Sequence, residues 1–193
     1  MLSRLATLVL PLVLIQPAAA ETLTGLDLKP GDRLVWSSGG EQYTETVESV
    51  ADGLAIISST RDGTYAQPLH FVLPPARWAG GPDGNGMSKV VARTGELFPL
   101  APDRRMSVTY HAVSDQEPEG WTAVRVCSVG TPSEVEVAAG HFSVLPVACQ
   151  ERNRSRTWLF APEPGLVVWY NNTHRCGTST VEELVAVERA PRP

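Results

Sequence analysis

The chain has 193 residues, a formal net charge of −5 and 42% hydrophobic residues, enough for a domain with a real core. Its mild acidity opposes non-specific binding to nucleic acid and attraction to anionic membrane surfaces. Sixteen glycines and sixteen prolines favour many turns over long helices, and no heptad, internal repeat or low-complexity block occurs.

The first 20 residues read as a secretory signal peptide. Arg4 supplies the positive start, Leu5 to Ile15 an apolar core broken by Pro11, and Ala18-Ala19-Ala20 a small-residue cleavage site before Glu21. With no cysteine at that site, a lipid anchor is not expected. Cleavage leaves 173 residues and removes Arg4, for a net charge of −6. No later run approaches the roughly 20 apolar residues that a spanning helix needs. The expected organisation is a signal peptide at 1–20, one β domain at 21–189 and a frayed tail at 190–193.

Lys29-Pro30-Gly31-Asp32 is a turn, and Arg33 to Trp36 a short strand after it. Gly39-Gly40, Asp52-Gly53 and Asp62-Gly63 reverse the chain, with Tyr43–Val50, Leu54–Thr60 and Thr64 onward as strands. This predicts an up-and-down sheet over Arg33 to Val72. Pro74 to Met87, PPARWAGGPDGNGM, reads as a loop carrying Trp78, either plugging a barrel end or facing a ligand. Asp83-Gly84-Asn85-Gly86 lacks the later acidic ligands of an EF-hand and is read as turn chemistry. Leu97 to Leu100 starts the second half, and Met106–Val113 and Trp121–Val129 form an expected antiparallel pair.

The stretch from Glu134 to Tyr170 carries the clearest pattern. Val135 and Val137 alternate with Glu134 and Glu136, and Gly140 permits a corner. Phe142 to Cys149 is apolar on both parities, with Pro146 expected at an unpaired edge or bulge. Thr157–Phe160, the turn Pro162-Glu163-Pro164-Gly165 and Leu166–Tyr170 follow as a meander. Val181 to Glu188 is read as a last strand.

The VxVxAGxF corner (Val135, Val137, Ala139, Gly140, Phe142), followed by Trp158, Ala161-Pro162 and Gly165-Leu166-Val167-Val168, resembles the DUF3108-type family of exported bacterial proteins of unknown function. Leu97-Phe98-Pro99-Leu100 is similar to that family's entry into the preceding strand, while Ala138 stands where the family usually carries proline. The resemblance covers roughly 75 residues. It implies a curved, partly open β-barrel, a periplasmic location in a Gram-negative bacterium, and no catalytic residue. Together with the strand pattern, it predicts an all-β fold: a single antiparallel meander of roughly eight to eleven strands forming a curved sheet or partly open barrel.

The mature chain keeps three cysteines in a compartment that permits disulfides. Cys127 with Cys149 is the preferred pair, although a flat meander places a strand between them and holds them roughly 10 Å apart. Cys149 with Cys176 is the alternative. Cys176, beside His174 and Arg175, is the one candidate for a reactive thiol. His70, His111, His141 and His174 show no metal-ligand spacing. No nucleophile elbow, P-loop or dinucleotide fingerprint occurs, so no catalytic residue, metal or cofactor is assigned.

Binding candidates are Trp78, Trp121, Trp158 and Trp169, as core or as aromatic grip on an apolar ligand, and Arg152, Arg154 and Arg156, which alternate and so can share one face toward an anion. The function expected is a non-catalytic binding module for an apolar or lipid-like envelope molecule. The alternative is an assembly partner of the cell envelope, acting through a sheet edge or the Trp78 loop.

Overall fold

The computed structural model describes residues 24–82 and 84–191. The expected signal peptide and Asp83 of the DGNG turn lie outside them. Thirteen strands follow in chain order: β1 (Arg33–Ser38), β2 (Glu41–Ala51), β3 (Leu54–Ser59), β4 (Gly63–Pro68), β5 (Arg77–Gly81), β6 (Gly84–Gly95), β7 (Arg105–Ser114), β8 (Trp121–Val129), β9 (Ser133–Val137), β10 (Gly140–Gln150), β11 (Arg154–Ala161), β12 (Leu166–His174) and β13 (Ser179–Glu188). All pairings are antiparallel, β13 pairs with β1, and β8 pairs with β10, so twelve strands close into a barrel with β9 outside the ring. The all-β meander is as expected, but it is longer than predicted and closed rather than partly open. Closure pairs each ring strand on both sides over part of its length, while Lys89–Gly95 of β6 have no β5 partner and Trp121–Arg125 of β8 no β10 partner in the ladders.

Local chemistry sets the reversals. Asp52 and Gly53 have φ of 52° and 75°, and Gly39 and Gly40 have 59° and 89°. Two successive positive φ values match the twist of right-handed strands and give tight hairpins. Register shifts at Val35/Trp36, Val47/Ser49, Trp78/Gly81, Val90/Ala92 and Leu159/Phe160 mark bulges, which bend strands and help a sheet curl into a ring.

The segment read as a loop at 74–87 is instead largely the β5–β6 hairpin. Trp78 sits within β5 opposite Tyr65 and Gly86. Its indole lies so close to Gly86 that a Cβ there would stand 2.2 Å from the ring. Glycine at 86 is therefore a space requirement of the tryptophan and not a turn signal. Arg192 and Pro193 of the expected frayed tail lie outside the described residues, and before them the Ala190 N–H donates to Asp32 Oδ1 at 3.0 Å. Burial opposes ionisation of Asp32, but hydrogen bonds from Ala190, Arg189 and Lys29 prevail and hold its carboxyl below the usual range.

Strand β10 changes partner halfway. Its ladder to β9 ends at Val144 and its ladder to β8 begins at Val147. Pro146 falls in the gap, with its carbonyl accepting from Gly130 N at 2.8 Å. In a strand the N and C=O of one residue point the same way, so the missing N–H removes nothing from the β11 ladder. The β9–β10 hairpin folds back toward β13, where Ala139 N donates to Leu184 O at 3.0 Å.

Because β9 is set aside, β8 and β10 become direct neighbours and Cys127 lies opposite Cys149. They form the disulfide, with α-carbons 4.0 Å apart. The intervening strand that argued against this pair does not intervene. Cys176 is free and exposed.

Candidate ligand-binding lumen

Alternation decides what faces the lumen. On β2, Tyr43 and Val47 are buried and Glu45 shares their parity; on β8, Arg125 shares the buried parity of Cys127 and Val129. Two carboxylate- and guanidinium-bearing positions thus point where an ordinary core would be apolar. The outside of the barrel carries Thr44, Thr46, Glu48, Arg105 and Glu183 together with the exposed Met87, Val90, Val91, Val124, Val126 and Val181.

Two adjoining cavities occupy this lumen. The first, about 590 Å³, has an apolar wall that includes Leu28, Leu34, Ile57, Phe71, Trp158 and Leu166. The second, about 810 Å³, is lined by Tyr110, Trp121, Glu151, Arg152, Arg154 and His174 among others. Pro74, Pro75, Trp78, Arg125 and Arg156 line both and form the wall between them.

That wall rests on the disulfide. Arg125 stands two residues before Cys127 and Glu151 two after Cys149, so the antiparallel register sets them opposite each other one row above the cross-link. Arg125 Nε donates to Glu151 Oε1 at 2.5 Å, and Arg156 Nη1 donates to the same oxygen. Arg125 also donates to the Val72 carbonyl, and the Tyr110 hydroxyl donates to Glu151 Oε2 at 3.2 Å. Burial opposes the Glu151 charge, but the two guanidinium groups outweigh it and keep its carboxyl below the usual range. Buried Arg125 and half-buried Arg156 share one carboxylate.

The opposite wall of the first cavity is acidic. Glu45 accepts from Trp36 Nε1 at 2.9 Å and from the Tyr65 hydroxyl. It keeps some surface toward the cavity yet lies deep within the barrel. Burial raises its pKa to about 7, with the Glu182 and Asp62 charges adding to the rise against the two hydrogen bonds. Tyr43 donates to Glu182 at 2.8 Å, and Arg61 bridges Asp62 and Glu182 while its guanidinium sits 3.7 Å over the Tyr43 ring.

The seven binding candidates from sequence divide as follows. Trp78 lines both cavities, Trp158 the first, and Trp121 the second. Arg152, Arg154 and Arg156 all line the second cavity, the first two exposed near the β10–β11 turn and Arg156 half-buried against Glu151. Trp169 lines neither and packs half-buried against the core. Sequence reasoning missed Arg125, Glu45, Tyr65 and Glu182. The signal for the first two was present as a charge on the apolar parity of a strand. At the rim, His174 Nδ1 stands 2.9 Å from Cys176 Sγ. Hydrogen bonds from Thr178 first, and then from His174, lower that thiol to about 6.

No protein family and no curated protein matches the chain by sequence. Solved structures do. The hypothetical lipoprotein YmcC of Escherichia coli K12 superposes with a TM-score of 0.51 at 8% identity, over 84% of this chain and 86% of that one. The chain shares the YmcC-like fold. An exported protein of Bacteroides fragilis described with that fold aligns at a TM-score of 0.48 and 10% identity, over 87% of this chain and 100% of its own.

Proposed function

We propose that this protein is a non-catalytic binding module that holds an apolar or lipid-like molecule of the cell envelope inside its barrel. The observation that carries this reading is the pair of adjoining cavities of about 590 and 810 Å³ within a closed sheet. Concave sites of roughly 300–1,000 Å³ with apolar walls and a few placed polar groups are the usual form of small-molecule sites. A periplasmic location fits the signal-like first 20 residues and the Cys127–Cys149 disulfide. DUF3108-type membership remains part of this proposal and rests on the corner and turn residues around Gly140 and Gly165.

The reading as an assembly partner has less to draw on. Trp78 lies within a strand against Gly86 and lines the lumen, which leaves this reading the sheet edges at the five-residue β9 and along Lys89–Gly95 of β6.

Native mass spectrometry of protein purified gently from a periplasmic extract tests the binding reading. Extra mass that leaves on denaturation is expected. A bare protein that also takes up no added amphiphile contradicts it.

A further inference from the structure

The charge on the two cavities is unequal. Six charged side chains line the first in balance: Arg61, Arg125 and Arg156 against Glu45, Asp62 and Glu182. The second has Arg125, Arg152, Arg154 and Arg156 against only Glu117 and Glu151, an excess of two positive charges in a protein whose net charge is −5. At the shared wall, Arg125 and Arg156 both donate to Glu151 Oε1, so two guanidinium groups share one carboxylate, and Arg156 also meets the Tyr170 hydroxyl. A buried charge is costly unless paired, and guanidinium groups are suited to carboxylate and phosphate oxygens.

We infer that the lumen selects an amphiphile with a single anionic head, a carboxylate or a phosphate, set at the wall made by Arg125 and Arg156. Its apolar chain lies along Leu28, Leu34, Ile57, Phe71 and Trp158 in the first cavity. Arg152 and Arg154, exposed on the second cavity, draw the anion in from solvent. This rests on the binding reading above and adds the sign and number of charges on the ligand.

Titration of the full chain by tryptophan fluorescence separates the two. The probes are dodecanoate, dodecyl phosphate, dodecanol and dodecylammonium, each below its micelle concentration, and inorganic phosphate as the head without a chain. The anionic amphiphiles should bind at least tenfold tighter than dodecanol and dodecylammonium, and phosphate alone far more weakly than dodecyl phosphate. Arg156→Gln should abolish that preference while dodecanol binding persists. The double variant Arg152→Gln/Arg154→Gln, at exposed positions that leave folding intact, should weaken the anions severalfold and flatten their salt dependence. Equal binding of neutral and anionic chains overturns this inference and leaves the binding reading standing. Phosphate binding as tightly as dodecyl phosphate overturns it in favour of a free-anion site. Binding by none of the probes overturns both.

Discussion

At one end of the barrel, Leu97, Val108, Val144, Val147, Phe160, Val168 and Leu184 are buried to within a few per cent and line neither cavity. At the other, Leu26, Leu73, Tyr65 and Trp78 line the first cavity, and Arg125, Glu151 and Arg156 stand above the disulfide where the two cavities adjoin. The same strands supply both ends. On β8, Val129 and Cys127 belong to the packed end, Arg125 to the boundary and Trp121 to the hollow end; on β11 the series runs Phe160, Trp158, Arg156, Arg154. The contrast teaches that the fold is held by one end and leaves the other free of the requirement to pack. A closed ring allows this, because strand pairing carries stability around the lumen without a filled interior.

The sharpest way to break the contrast is to truncate one leucine at each end. Leu97→Ala should cost about 3–5 kcal/mol in urea unfolding, as full burial and a rigid cavity predict. Leu73→Ala, already facing space on one side, should cost about 1 kcal/mol or less. Equal losses would mean that the hollow end is packed in solution.

Next comes the boundary. Glu151→Gln removes the carboxylate that buried Arg125 and half-buried Arg156 share and should cost about 3 kcal/mol, since Arg125 is left charged and without its carboxylate. A loss near zero at the same denaturant slope would show these side chains to be solvated and the wall between the cavities to be open.

The smallest effect is a pH slope from the hollow end. Glu45 has its folded pKa raised from 4.5 to about 7, chiefly by burial. The unfolded chain then releases this proton at lower pH than the folded one, so its contribution is present below about 4.5 and lost as pH rises through about 7. Glu45→Gln should remove roughly 2 kcal/mol of that decline, read as the difference between variant and wild-type unfolding curves at pH 4.5 and 7.5. Parallel curves would place Glu45 in full contact with solvent.

Much of the ring was legible from sequence because it obeys period-2 patterning and turn chemistry. The Asp52-Gly53 and Asp62-Gly63 hairpins, the β7–β8 pair, the Pro162–Gly165 turn and the strand at Val181–Glu188 all stand where the residues suggested. The hollow end was less legible for two physical reasons. The glycines of β5 and β6 read as loop chemistry, although Gly86 is small because Trp78 lies on it. Long-range register was also hidden: the Cys127–Cys149 pair was the preferred one, but nothing local to Ser133–Val137 says that β9 steps out of the ring, so the opposition of Arg125 with Glu151 followed only from the closed sheet. The alternating arginines all line the second cavity, but the sequence did not distinguish exposed Arg154 from half-buried Arg156.

The central claim is that the hollow end receives an amphiphile. The most direct measurement is quenching of tryptophan emission by a dodecanoate carrying bromine on its chain, compared with unbrominated dodecanoate. Trp36, Trp78 and Trp158 line the first cavity, and bromine quenches only on close approach. The account predicts saturable quenching by the brominated chain alone, diminished in Arg156→Gln. Identical emission with both chains at saturation would place the ligand outside the lumen and contradict it.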